Sequence, residues 1–473
     1  MGIETLSEGD SYTGLLIDEQ GGTPYIGAAL RFQQAHGVLV EIPFLHGREE
    51  VQFLEVDAWF SQQSPPSNLI LAVPGGEMLL CDLRWRETSI RAGVSLGTIA
   101  PSETLLGKRD VPLETPLTMT EVRSSVDGLR PWTRFVSVET EPHTDEEGRA
   151  QRLTIEVQSG EGVLWQQGDA TMKFVSEWAT EYPNDDHQMG INVLDTPVLI
   201  SKFPTSRPFA HHLREQRKVV NLLTLLTGTG IYFRKHRVGD PLIGSFGAGG
   251  PGGFRVRRAE LISTQTVREY AQPEPSKTDL DSILVRLPDV GSDGMDRWGS
   301  EWDRWKRFIL PAAGVLGRRS AFAEDIITSL SMSFEAAGKI IGERNGERDT
   351  CYRGRPTTST YVYRCLSVLG VSWGPAAPSH VGLARAIANT YNSIKHFDGS
   401  DFPDSAVSFV ISHICEYIAR LLALYILDER GRLLSPYREE GAMWRVNRYV
   451  AAYGISFDER GLLVDGALAP ADE

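Results

Sequence analysis

The stretch SHVGLARAIANTYNSIKHFDG, residues 379–399, carries the side chains best suited to chemistry. Read as a helix at 100° per residue, it puts Arg385, Asn389, Asn392 and His396 on one stripe at i, i+4, i+7 and i+11. Leu383, Ile387, Thr390 and Ile394 fall on the opposite face, which is the one to bury. An imidazole with an ordinary pKa of about 6.5 is available in both protonation states near neutrality, so it can move a proton. Arg385 adds a fixed positive charge, and the two amides can orient a polar ligand. A polar stripe opposite an apolar face is also what any solvated outer helix shows. The surrounding elements have to decide between the two.

Those elements are helical from about Trp305 to Arg430. Phe322, Ile326, Leu330, Phe334, Ala337 and Ile341 predict a long amphipathic helix that closes at Asn345-Gly346. A second helix is expected over Thr358–Leu369. Ser379 caps the third, and Asp404-Ser405 opens a fourth that carries Val407, Ile411, Ile414, Ile418, Leu421 and Tyr425. Four helices with short connections make an up-and-down bundle.

The N-terminal half has a different rhythm. From Thr13 to about Ser176 come short apolar or alternating runs: TGLLI at 13, ALRF at 29, VLVEI at 38, VQFLEV at 51, NLILAV at 68, EMLLCDL at 77, LTIEV at 153 and TMKFV at 171. Turn residues separate them, including Pro65-Pro66, Pro74-Gly75-Gly76 and Asp127-Gly128. This pattern predicts an antiparallel β sandwich or barrel-like domain. Between the halves, residues 205–229 read as a helix stopped at Gly228, followed by a strand in IYFRKHRV. GAGGPGGF at 247–254 reads as a flexible loop and PEPSK at 273–277 as a break. The glycine run lacks the GK[ST] ending of a phosphate loop. The expected organisation is an α+β multidomain chain: a β-rich domain over 1–200, a mixed connecting region over 201–304, a helical bundle over 305–432 and an extension over 433–473.

Composition bounds the partners. The formal net charge of −14 argues against broad binding to duplex DNA, which needs many Lys and Arg contacts to phosphate. The charge is uneven: residues 301–430 carry 15 Lys or Arg against 14 Asp or Glu, leaving −15 for the remainder. The helical part can therefore approach RNA where the rest cannot. Four cysteines, Cys81, Cys351, Cys365 and Cys415, form no CxxC pair, and the first residues do not read as a signal peptide. In MGIETLS, Leu6 stands where a myristoylation site needs Ser or Thr. The longest nearly unbroken apolar run, Ala419–Leu427, falls short of the roughly 18 to 20 residues that span a bilayer. The expected location is cytoplasmic, with no membrane partner.

Several segments together resemble a known family. SFEAAGKIIGE in the first helix and YNSIKHFD at the end of the third are similar to the HEPN domain of ApeA-like bacterial anti-phage proteins. GLLIDEQGG, LLCDLRWRETSIRAGVSLGTIAPSETLLG and LTGTGIYFRKHRV resemble the N-terminal domain of the same proteins. The resemblance implies a HEPN-like four-helix bundle and a metal-independent endoribonuclease acting in abortive infection, gated by an N-terminal sensing half. It implies no cofactor and no metal. Its implied partners are RNA, a phage-derived trigger and a second copy of the chain joined through the bundle.

HEPN ribonucleases use an Arg followed after four to six residues by a His, often with Asn directly after the Arg. His396 matches that histidine and Asn392 that asparagine, but Tyr391 occupies the arginine position. The missing cation is then supplied by Lys395 or by Arg385. Eleven residues of helix rise about 16 Å, so Arg385 can meet a His396 only across a two-fold dimer with antiparallel helices. Asn389 and Glu335 are supporting candidates, and Arg344, Arg348, Arg353 and Arg355, with Lys339 and Arg364 nearby, are candidates to receive RNA phosphates. The tyrosine equally fits a catalytically degenerate HEPN sensor or scaffold that dimerises and binds a protein or nucleic-acid partner.

Other patterns have plainer readings. Arg31 with His36 and Arg207 with His212 repeat the Arg-to-His spacing but read as structural residues. Trp298, Trp302, Trp305 and Phe308 read as a junction core rather than a base-stacking platform. Cys351, Cys365, His380 and Cys415 lack the paired spacing of a zinc site. Strands and tryptophans alone are the only support for a carbohydrate-binding sandwich.

Overall fold

Period-two alternation gives the N-terminal strands one face to bury, and in the computed structural model six of them close on themselves. These are β1 (Ser11–Ile17), β2 (Ile26–Gln33), β3 (Gly37–Phe44), β4 (Asn68–Val73), β5 (Gly76–Ser89) and β6 (Ser95–Leu105). In the order β6-β3-β2-β1-β4-β5 each pairs antiparallel with the next, and β5 pairs back onto β6. Closure removes the unpaired edges that an open sheet exposes. The structure describes residues 3–18, 26–47, 51–109, 111–158, 162–181, 184–185, 188–189, 192–243, 258–396, 403–439 and 441–464. The glycine run 247–254 lies outside them.

Leu16, Leu30, Val40, Ile42, Leu69, Leu71, Leu80 and Ile99 fill the barrel. VQFLEV at 51, expected as a strand, instead begins α1 (Val51–Ser61). The six-residue window hides the helical spacing of Phe53, Val56 and Phe60, which pack against or into the barrel core. Phe60 stacks on Phe44 with ring centroids 5.2 Å apart. A Cβ at Gly97 would sit 2.1 Å from the Phe60 ring, so that strand position has to be glycine.

The barrel wall continues as an open sheet. β7 (Met119–Val126), β10 (Val163–Gln167), β11 (Ala170–Glu181), β14 (Asn192–Arg207), β15 (Phe233–Gly239) and β16 (Ala259–Ser263) follow in the order β10-β11-β14-β7-β15-β16, with β16 joined to β6. The expectation of a sandwich or barrel thus resolves into a closed barrel with a six-stranded antiparallel extension. The sheet is continuous across residue 200, because β14, β15 and β16 pair with strands far away in sequence. β8 (Val138–Thr144) and β9 (Ala150–Val157) form a separate hairpin, β12 (Asn184–Asp185) and β13 (Gln188–Met189) a minimal one, and α2 (Leu129–Thr133) follows β7.

One face of the extension is covered by α3 (Phe209–Thr227), which ends as expected at a left-handed Gly228. A buried polar chain fastens it. Gln216 Nε2 donates to Val122 O at 3.1 Å and to Ser201 Oγ at 3.0 Å, and Gln216 Oε1 accepts from Ser124 Oγ at 2.5 Å. Ser124 Oγ also meets His236 Nδ1 at 2.7 Å, and His236 Nε2 meets Thr266 Oγ1 at 3.0 Å. His212 lies between Ser201 Oγ at 2.9 Å and Met119 O at 3.0 Å, a structural place for this histidine. Buried polar groups satisfied this fully specify one seating of the helix.

The helical part begins earlier than Trp305. Short α4 (Val267–Tyr270) and α5 (Lys277–Asp281) precede α6 (Leu287–Leu316), which is broken at Gly291, where φ is +66°. Trp298, Trp305 and Phe308 are buried in the core shared by sheet and helices, and Trp298 Nε1 donates to Lys218 O of α3 at 2.9 Å. Then come α7 (Ala323–Ile341), α8 (Thr358–Leu369), α9 (His380–Lys395) and α10 (Ser405–Leu427), followed by α11 (Ser435–Arg438) and α12 (Trp444–Tyr453). The first of these four stops at Gly342 rather than at Asn345-Gly346, since Gly342 already takes φ +81°. α7, α8, α9 and α10 pack on one another, with α6 against α7 and α10 and with α12 against α10, so the helical unit exceeds four helices. By length and composition α10 is apolar enough to cross a membrane, but 78% of that window is buried among the other helices.

Burial first, then nearby Arg217, pushes the His236 pKa down to about 3, and burial lowers that of His212. Both rings stay neutral in the fold, while the unfolded chain protonates them near pH 6.5. Their stabilisation is complete above about pH 6.5 and is lost as pH falls below it, for His236 down to about pH 3. The unfolding free energy measured from pH 7 to pH 5 should therefore drop, by up to about 1.4 kcal/mol per histidine per pH unit. His236→Gln should flatten that dependence; an unchanged slope would remove His236 from the account.

Candidate functional site

α9 starts where Ser379 Oγ accepts the Gly382 N–H at 3.2 Å, and ends with the His396 N–H on Asn392 O at 2.9 Å. Leu383, Ile387 and Thr390 are buried and Ile394 is half-buried, as the periodicity predicts. Ala384, Ala388 and Tyr391 are buried as well. Tyr391, only 3% exposed, belongs to the bundle core, and Lys395 Nζ sits over its ring 5.3 Å from the centroid. Asn392, Lys395 and His396 are all exposed.

The other end of the stripe is occupied. Residues 456–464 fold into a small hairpin, with Asp458 N donating to Leu462 O and Val464 N to Ser456 O, each at 2.9 Å. It lies along α9. Arg385 Nη1 donates to Glu459 O at 2.6 Å, Arg385 Nη2 donates to Asp349 O, and Asn389 Nδ2 donates to Gly461 O at 3.3 Å. A Cβ at Gly461, whose φ is +73°, would stand 2.4 Å from Ala386 N, so glycine alone permits this approach. A Cβ at Gly382 would stand 2.6 Å from Asp458 O.

Arg385, expected as a cation that reaches a partner's His396, is engaged within its own chain. Its guanidinium is half-buried and engaged with two backbone carbonyls from segments far away in sequence. Asn389 likewise serves the hairpin. Glu335 accepts a hydrogen bond from Thr358 Oγ1 at 2.5 Å, which ties α7 to the start of α8 and gives it no bond to α9 among the described residues.

The basic loop after α7 divides in the same way. Arg364 is buried and meets Glu347 through Nε and Nη2, each at 2.7 Å, so it is unavailable to RNA. That double hydrogen bond is the main reason the Glu347 carboxyl lies below its ordinary pKa. Glu347 also accepts the Arg344 N–H at 2.8 Å, and Arg344 is half-buried. Arg348, Arg353 and Arg355 point outward, and Arg353 lies over the Tyr352 ring at 5.1 Å. Through Arg385 and Asp349, this loop is joined to α9 beside the stripe.

Burial keeps the thiols of Cys365 and Cys415 strongly protonated, in keeping with apolar fillers. Among the described residues no group of three or more His, Cys, Asp or Glu is arranged to hold a metal ion. Arg31 pairs with Glu41 at 3.0 Å on the barrel surface. On the helix-free face of the sheet extension, Arg123, Glu177, Trp178, Leu194, Lys235 and Arg237 line a groove of about 230 Å³. Sequence reading missed this groove, because its lining comes from four strands that only pairing brings together.

Gly461→Val should lift the hairpin from α9. Hydrogen exchange should then rise across 456–464 while the barrel strands keep their protection; unchanged exchange in the hairpin would mean that its contact with α9 does not depend on the glycine.

Residues 17–245 match the family model described as ApeA N-terminal domain 1. No curated protein and no solved structure matches the chain. The matched stretch runs from the end of β1 through β15, and α4 to α12 lie beyond it. The match supports an ApeA-like protein, and such a domain points to anti-phage defence.

Proposed function

We propose that this chain is an anti-phage defence protein whose helical half is an endoribonuclease, restrained until the N-terminal half meets a phage-derived trigger. The observation that carries the reading is the joint exposure of Asn392, Lys395 and His396 at the C-terminal end of α9. In the proposed chemistry the His396 imidazole takes the proton from the ribose 2′-hydroxyl or returns one to the leaving oxygen. The Lys395 ammonium stabilises the charge that builds on the crowded phosphate, Asn392 orients it, and the product is a cyclic phosphate. Arg348, Arg353 and Arg355 are proposed to receive neighbouring phosphates, and the groove around Trp178 and Arg237 to receive the trigger. Two copies joined through the bundle are the proposed assembly.

A second reading is favoured by the burial of Tyr391. A tyrosine that packs in the core where the family has a catalytic arginine fits a bundle kept as a scaffold.

The test is to induce wild type, His396→Ala and Lys395→Ala in a bacterial host, with and without phage, while following growth and total RNA. Wild type should cut RNA on infection, His396→Ala should not, and Lys395→Ala should lose roughly 100-fold in cleavage rate. RNA that stays whole in all three while phage is still restricted would establish the scaffold reading instead.

A further inference from the structure

The segment Gly441–Phe457 contains no Asp or Glu. Within it α12 buries Val446 and Val450, leaves Arg445, Asn447 and Tyr449 half-buried, and exposes Trp444 and Arg448. Trp444 is 55% exposed. Two guanidiniums lie over its ring, Arg445 at 5.4 Å and Arg448 at 5.9 Å, and Arg448 also lies 5.7 Å from the Tyr449 ring. Among the described residues neither arginine is in an ion pair or makes a side-chain hydrogen bond. Tyr449 in turn stacks on His413 of α10, with centroids 4.5 Å apart and planes 10° from parallel, and Phe409 meets both rings edge-on. Glu416, 3.6 Å from His413, is itself paired with Arg420.

Arginines lying over an exposed tryptophan ring and a half-buried tyrosine ring, with no carboxylate paired to them among the described residues, offer stacking surface and phosphate contacts together. That combination suits single-stranded nucleic acid, whose bases present π-faces and whose backbone presents charge. Duplex fits less well, since its bases are already stacked. The surface also lies near the candidate site along the chain: Phe409 and His413 are in the first three turns of α10, which begins nine residues after His396. We propose that Trp444, Arg445, Arg448 and Tyr449 form a platform for single-stranded RNA that feeds the Asn392–His396 end of α9. The proposal rests on the RNA-directed reading above and adds the surface and the form of RNA that it takes.

The test uses the full chain carrying His396→Ala, so that binding is read without cleavage. Anisotropy of a fluorescent 12-nucleotide oligouridine is followed at several salt concentrations, with a duplex RNA of equal length as competitor. Trp444→Ala should weaken binding roughly 5- to 150-fold, the range for loss of one stacked base. Arg445→Gln with Arg448→Gln should lower the slope of log affinity against log salt by about 1.4. Both changes are on the surface, and unchanged thermal midpoints would confirm intact folding. Affinity and salt slope unchanged in both variants would overturn the platform. So would equal competition by the duplex or by an oligoglutamate, the latter marking the surface as one for acidic proteins. Platform-dependent binding by a chain that never cuts RNA would leave this inference standing and remove the nuclease reading.

Discussion

The helical half is coupled to the sheet through α3, which is gripped from both sides. On the sheet side Gln216 and His212 anchor it in the buried polar chain. On the other side Arg420 of α10, itself buried, donates through Nη2 to Leu226 O at the end of α3 (3.1 Å) and to Ser282 O (2.7 Å). A buried guanidinium that joins two carbonyls, with Glu416 holding its other side, tolerates little displacement, because moving it would cost the Ser282 carbonyl a buried partner and loosen the hold on the end of α3. Any shift of the sheet must therefore either carry α10 with it or break these bonds. Beside the direct packing of α6 on β10, α3 is thus a mechanical link between the sheet and the helical half.

Within the helical half, the polar stripe of α9 divides in two. Its first three turns hold the C-terminal hairpin, with Arg385 and Asn389 spent on backbone carbonyls. Its last turn is open and carries the imidazole. Arg385 also donates to Asp349 O, so one guanidinium ties the hairpin and the basic loop to the helix. The cation closest in sequence to His396 is Lys395, and the Tyr391 ring beneath it keeps the ammonium on the exposed side.

Local signals were read well from the chain. Thr358–Leu369 is bounded by Thr357 and Thr360, which cap its start reciprocally, and by a left-handed Gly370, features that depend on a few neighbouring residues. Ser379 and Asp404 mark their helix starts for the same reason. What could not be read depends on pairing across the chain. Closure of β5 onto β6, entry of β15 and β16 into the sheet, and the hairpin seated on α9 are all of this kind. Arg364 looked like one more surface cation until Glu347 was found opposite it. The run at 51 was misread because six residues fit either period. Arg385 was assigned to chemistry because its actual acceptors are carbonyl groups, which no side-chain pattern announces.

In the proposed chemistry His396 moves a proton at a ribose 2′-hydroxyl, which fixes the ends that cleavage leaves. The most direct measurement is mass spectrometry of the ends left on a defined RNA by protein purified from phage-infected cells, with a chelator present, comparing wild type with His396→Ala. The account predicts 2′,3′-cyclic phosphates from wild type and uncut RNA from the variant. Equal products from both proteins, or ends bearing a 3′-hydroxyl, would contradict it.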